Sequence, residues 1–258
     1  MSDTAPRFPA PGGPVGPLWV VTRGSGPPLV MLHGNGEDHH VFDKMVPALG
    51  VGRMLVGIDS RAHGRSARGE GPLRIATMAD DVAHVLELLG LPAADLLGFS
   101  DGGNIGLELA IRHPDRVRRL VAVGANLFPE GMTARSLAGL RATHRVVAAL
   151  AGAVPPLRVV AERFALMVHD PSIEPEDLSH VRAPTLVVTG ERDLVRPEHT
   201  RLIVESIPGA RAAVVARAGH MLPTQAPQRL SALVADFLAE PLPGGPAGGT
   251  PEDDPTKS

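Results

Sequence analysis

Ser100 stands in Gly98-Phe99-Ser100-Asp101-Gly102, between an apolar run and a run of helical character. In that setting the pentapeptide reads as a strained strand-to-helix turn that lifts one hydroxyl clear of the backbone. The glycines have a steric reason, because such a turn leaves almost no room for side chains at its flanks. A chain with 29 glycines can meet this pattern by chance, so its meaning depends on what else the sequence supplies. A serine hydroxyl is a weak nucleophile until a base accepts its proton. The chemistry therefore calls for a base, an acid to orient that base, and N–H donors for the charge that develops.

Most of the 11 histidines fall in turns or within amphipathic stretches. His220 differs, because it follows an apolar run in Arg217-Ala218-Gly219-His220-Met221, in a loop with glycine immediately before it. Asp193, in Gly190-Glu191-Arg192-Asp193, leaves the end of the preceding apolar run. It could fix the tautomer of an imidazole and stabilise the imidazolium. Glu191, nearer the end of that run, is the rival acid. For an oxyanion, one N–H comes from Asp101, the residue after the serine and the head of a helix whose dipole helps. A second is assigned to Asn35 in His33-Gly34-Asn35-Gly36, where flanking glycines let a substrate oxygen approach. Asp38-His39-His40 could suggest a metal site, but nothing else in the sequence supports one, and neither metal nor cofactor is expected.

These residues need elements to hold them. Short apolar runs at 18–22, 29–32, 54–58, 96–99, 120–123, 185–189 and 212–215 read as strands. Helical spacing marks 75–89, 102–113, 197–207 and 225–238. Such alternation implies a parallel sheet with helices on both faces, which binds ligands at the carboxyl ends of its strands. The serine, His220, Asp193 and Asn35 all fall at that edge. Residues 128–180 break the rhythm with two helical patterns, 134–150 and 157–168, and are expected to form a cap over the edge. The expected organisation is a core of 18–127 and 181–240 around that insertion, with Pro/Gly-rich tails at 1–17 and 241–258 too poor in packing residues to order.

With HGNG at 33–36, GIDSRAHGRS at 57–66, GFSDGG at 98–103, GERD at 190–193 and AGHM at 218–221, the chain resembles α/β-hydrolase-fold serine hydrolases over roughly residues 18–240. The resemblance implies an α/β-hydrolase fold: a mostly parallel central sheet, helices on both faces and a short helical lid. It also implies catalysis by Ser100, Asp193 and His220 in the family's Ser, acid, His order. The pieces are closer to esterase, lactonase and C–C hydrolase branches than to lipases or peptidases. GFSDGG is similar to a subgroup of small carboxylesterases that includes enzymes cleaving amino-acid esters. Ala62 departs from the pattern, standing where glycine is common. A serine in place of an aspartate nucleophile argues against epoxide hydrolase or haloalkane dehalogenase chemistry.

The implied activity is hydrolysis of a small carboxylic ester or related acyl compound through an acyl-enzyme. Lactone or dione C–C cleavage, cofactor-free perhydrolysis and a non-catalytic binding role are the alternatives. The Asp101 side chain could pair with a cationic substrate group, or could simply serve as a helix N-terminal charge. Phe128, Met132, Phe164 and Met221, with Leu127, Met167 and Leu222, suggest an apolar substrate pocket, although each fits a core position equally well.

Composition narrows the partners. A net charge of −3 gives no reason to expect nucleic acid or an anionic membrane. Zero cysteines remove disulfides, cysteine nucleophiles and thiolate metal sites together. No apolar run approaches the ~20 residues needed to span a bilayer, and the N-terminal segment does not read as a signal peptide. A cytoplasmic enzyme is expected. Lys44 and Lys257 are the two lysines among 25 basic residues, which reads as the codon bias of a GC-rich bacterial genome.

Overall fold

A computed structural model of the chain describes residue 8 and residues 12–242. Eight strands alternate with helices: β1 Gly13–Val15, β2 Leu18–Arg23, β3 Pro28–Leu32, α1 Val46–Leu49, β4 Met54–Asp59, α2 Ile75–Leu88, β5 Ala94–Phe99, α3 Asp101–Arg112 and β6 Val117–Val123. After these come α4 Ala134–Ala151, α5 Leu157–His169, β7 Thr185–Arg192, α6 Pro197–Ser206, β8 Arg211–Gly219, α7 Leu222–Gln225 and α8 Pro227–Ala239. The strands form one sheet in the order β1-β2-β4-β3-β5-β6-β7-β8. β1 and β2 join antiparallel, and every pairing from β4 to β8 is parallel.

The period-2 alternation of the strands divides the core. Val30, Leu32, Val56, Ile58, Leu96 and Leu120 face α2 and α3 on one side. Leu29, Met31, Leu55, Leu97, Phe99 and Val121 face α1 and α8 on the other. Both faces of the central strands are therefore dry, which explains why these runs are apolar throughout. No helix among the described residues is long and apolar enough to cross a membrane.

Two expectations need correction. The N-terminal stretch is not loose throughout. Gly13–Val15 adds an edge strand, and the Phe8 side chain is buried. A three-residue strand carries too little pattern to stand out among prolines and glycines. Residues 1–7, 9–11 and 243–258, including nearly all of the expected C-terminal tail, lie outside the described residues. The single helix expected at 225–238 is broken at Ala226, whose backbone (φ −141, ψ 48) is not helical, before Pro227. Proline disfavours helical backbone in the residue before it.

The insertion between β6 and β7 is a pair of helices, α4 and α5, that pack on each other. The carboxyl ends of β3, β5, β7 and β8 lead into the loops that carry the candidate residues.

Candidate active site

Ser100 joins β5 to α3 with φ 54 and ψ −120, a backbone state that a residue with a side chain rarely adopts. The surroundings force it. A Cβ on Gly98 would run into the Gly102 carbonyl, and one on Gly102 into the Leu32 carbonyl. The Ser100 N–H donates to Val123 O at 2.7 Å, pinning the turn to β6.

The structure brings the three residues from separate loops together. His220 Nε2 lies 3.0 Å from Ser100 Oγ, and His220 Nδ1 lies 2.7 Å from Asp193 Oδ1. Asp193 also accepts the N–H groups of Val195 and Gly190, each at 3.1 Å. Burial alone would raise the Asp193 carboxyl. The hydrogen bond and charge of His220, together with the two N–H donors, hold it below the usual carboxylate range. An ionised Asp193 keeps the proton on Nδ1 and the lone pair on Nε2, the tautomer that can accept a serine proton. Glu191, the rival acid, is exposed and accepts the Arg217 N–H at 2.6 Å. Gly124, with φ +61, leaves the space that the array needs. A Cβ there would stand 2.9 Å from His220 Cε1.

Asn35 and Asp101 are adjacent, with Asn35 Nδ2 donating to Asp101 Oδ2 at 2.9 Å. The loop holding Asn35 lies against the serine, since a Cβ on Gly34 would be 3.1 Å from Ser100 Cβ. Asp101 begins α3, where the first N–H groups have no helical acceptor.

The cavity at Ser100 is small, about 70 Å3, and is lined by Asp101, Asn126, Met132, Met167, Asp170, Pro171, Leu194, Val195 and His220. No lysine or arginine is among these walls, while two carboxylates are. Burial pushes Asp101 up to about 6, against the Asn35 hydrogen bond and with the charge of Asp170 adding to it. Burial also raises Asp170, whose Oδ2 accepts the Ile75 N–H at 2.6 Å.

Of the apolar residues offered as pocket walls, Met132 and Met167 line this cavity, whereas Phe128, Phe164 and Met221 are not among its walls. Phe128 stands edge-on to His199, with ring centroids 4.7 Å apart, and packs against the core. Met221 packs against the opposite core, where Leu222 is buried. Leu127 is also a core residue, its N–H donating to His199 Nε2. Phe164, in α5, is half-buried and lies outside the walls of this cavity. Asp38, His39 and His40 offer ligand-type atoms within 4.8 Å of one another. All three are already engaged, Asp38 with the His40 N–H, His39 with Asp59 and His40 with Asp43.

Sequence reasoning missed Glu37, Gly124, Asn126 and Asp170. Glu37 Oε2 accepts the Gly34 N–H at 3.1 Å beside the serine, and burial pushes its carboxyl up to about 7 despite that bond and the charge of His220. Its place four residues after His33 in the glycine-flanked loop was the available signal. Because its folded pKa lies above the ordinary 4.5, the stability linked to this group is fully present below about 4.5 and is lost as pH rises through about 7. Glu37→Gln keeps an oxygen for Gly34 and removes the charge. Its melting temperature, scanned by fluorimetry from pH 4.5 to 8.5, is expected to exceed wild type at pH 8 and to converge with it toward pH 4.5.

Residues 27–142 match the family model described as alpha/beta hydrolase fold. The chain is similar to a 2-hydroxymuconate semialdehyde hydrolase from a Pseudomonas species, 33% identical over 250 residues, covering 84% of this chain and 88% of that one. It is 28% identical to a pimeloyl-(acyl-carrier protein) methyl ester esterase from Neisseria meningitidis, covering 81% of this chain and 92% of that one. Among solved structures, an enol-lactonase from Burkholderia xenovorans superposes with a TM-score of 0.73 at 25% identity, covering 89% of this chain and 100% of that one.

Proposed function

Because this chain belongs to the α/β-hydrolase fold family, we propose that it is a serine hydrolase cleaving a small carboxylic ester through an acyl-enzyme on Ser100. The observation that carries this reading is the continuous contact Ser100–His220–Asp193, at 3.0 and 2.7 Å, with the serine held at the head of α3. Similarity to an ester esterase and to an enol-lactonase supports the ester class, and the small cavity suits a small acyl group.

Ser100 Oγ attacks the carbonyl carbon while its proton passes to His220 Nε2. The N–H groups of Asn35 and Asp101 receive the charge on the former carbonyl oxygen. His220 returns the proton to the leaving alcohol as the C–O bond breaks. Water then attacks the acyl carbon, giving its proton to His220, which reprotonates Ser100 as the acid leaves. Asp193 holds the ring and balances the imidazolium charge.

Asp101 and Asp170 give the substrate an electrostatic preference. Two carboxylates in a small cavity without a lysine or arginine in its walls favour a cationic group near the acyl carbon, such as an ammonium. Asp101→Asn is expected to lower kcat/KM for aminoacyl esters about 10-fold or more, as loss of one charge-assisted contact of ~1.5–3 kcal/mol implies, while plain acyl esters of the same length change little. An equal change in both sets would remove the charge preference from the account.

Dione C–C cleavage on the same residues is the second reading, favoured by the 33% identity to a semialdehyde hydrolase. One panel separates the two: p-nitrophenyl esters of rising chain length, lactones, aminoacyl esters and a ring-fission dione, each with Ser100→Ala as blank. Turnover of short esters above the dione supports the ester reading. Turnover of the dione alone replaces it.

A further inference from the structure

We propose that Asn35 and Arg163 couple the cap to the oxyanion hole, so that the hole is fully assembled only when the cap is seated. This rests on the serine-hydrolase reading above. The Asn35 amide has two N–H donors, and both are used in different directions. One goes to Asp101 Oδ2 at 2.9 Å, and the other to the main-chain oxygen of Arg163 in α5, at 3.1 Å. The residue whose own N–H would hold the oxyanion is thus clamped between the neighbour of the nucleophile and the cap.

Arg163 closes the connection from the other side. Its guanidinium runs back to the core, where Nε donates to Ala62 O at 2.7 Å and Nη2 donates to the same oxygen. Ala62 sits at φ 63 in the loop after β4. Among the described residues Arg163 makes no ion pair, and burial draws its guanidinium below its ordinary range. A guanidinium partly withdrawn from water without a counter-charge is a weak choice for stability. Its placement makes sense as a positional tie: α5 is fastened at one residue to the loop after β3 and to the loop after β4. The nearby Arg68–Glu162 pair, 2.8 Å apart, also joins core to cap, but it is half exposed and such pairs contribute little.

Lifting α5 would remove the acceptor of one side-chain N–H and leave the Asn35 side chain, and the loop that carries it, tied through Asp101 alone. A donor displaced from the developing charge loses much of its effect, since removing one donor outright costs ~10²–10³-fold and a 1 Å misplacement can cost ~10²-fold. Closure of the cap therefore completes the site as well as excluding water, which restricts turnover to substrates that let the cap seat.

The test uses the full-length protein and Arg163→Met, which keeps the apolar stem and the main-chain carbonyl but removes the donors to Ala62. Steady-state kinetics on the best ester, and the inhibition constant of an alkyl boronic acid that adds to Ser100 as a transition-state mimic, are measured together. The expected result is a fall in kcat of about 10- to 100-fold with KM within a few-fold, the boronate weakening by a similar factor. Arg163→Lys, which can still donate once to Ala62 O, should recover part of both and serves alone if the methionine variant does not fold. Wild-type kcat and boronate affinity in the folded variant, even with a lowered melting temperature, would overturn the coupling and leave Arg163 a structural tie. Absence of turnover by the wild-type protein across all esters would instead sink the reading on which the coupling rests.

Discussion

Ser100→Ala is expected to lower kcat on the best ester by about 10⁴- to 10⁶-fold, because residues of such an array act as a unit and losing the nucleophile removes the covalent route. The variant should fold. Alanine keeps the Cβ at a backbone already held at φ 54 by Val123 and the flanking glycines, and the hydroxyl has its described hydrogen bond to His220 alone. The melting temperature should therefore stay close to wild type while turnover disappears. A progress-curve assay with a chromogenic ester, run at enzyme concentrations high enough to see the residual rate, measures it. Residual activity within 10-fold of wild type would assign the reaction to another group.

The second large effect is expected for Asp193→Asn, about 10⁴-fold in kcat with substrate binding little changed. The reason is local. Asp193 accepts three hydrogen bonds, from His220 Nδ1, Val195 N–H and Gly190 N–H, and its side chain is about 1% exposed. Asparagine has one oxygen and one NH2, so its amide must face one of those donors with another donor. Turning the amide toward His220 forces the proton onto Nε2, where it can no longer accept from Ser100. Glu191→Gln is the control. That carboxylate is exposed and touches the Arg217 N–H, so its loss should change kcat by no more than a few-fold. Equal losses in the two variants would mean that Asp193 does not orient the ring.

The residues at the sheet edge were legible because each sits where an apolar run ends in a loop rich in glycine. Ser100, Asp193, His220 and Asn35 lie at the ends of β5, β7, β8 and β3, and a parallel sheet brings those ends to one side. The mostly parallel order was legible for the same reason, from strands alternating with helices. What failed depended on packing at a distance. Hydropathy does not distinguish a methionine that lines a cavity, as Met132 does, from a phenylalanine that leans on a histidine, as Phe128 does. Asp170 follows α5 and meets Ser100's cavity only once the insertion between β6 and β7 is folded against the core. Glu37 looks like an ordinary surface acid until Gly34 and the serine close over it. Gly124 is one glycine among many until His220 comes to rest against it.

If Ser100 is the nucleophile, made reactive by His220 and Asp193, a small fluorophosphonate should label it in the purified protein; intact mass and peptide sequencing in the mass spectrometer locate the adduct. One phosphonyl group per chain is expected on Ser100, formed at least 100-fold more slowly when His220 is replaced by alanine, consistent with the ~10²–10⁴-fold typical of a positioned base. No adduct in the folded wild-type protein, or an adduct on a different residue, would contradict it.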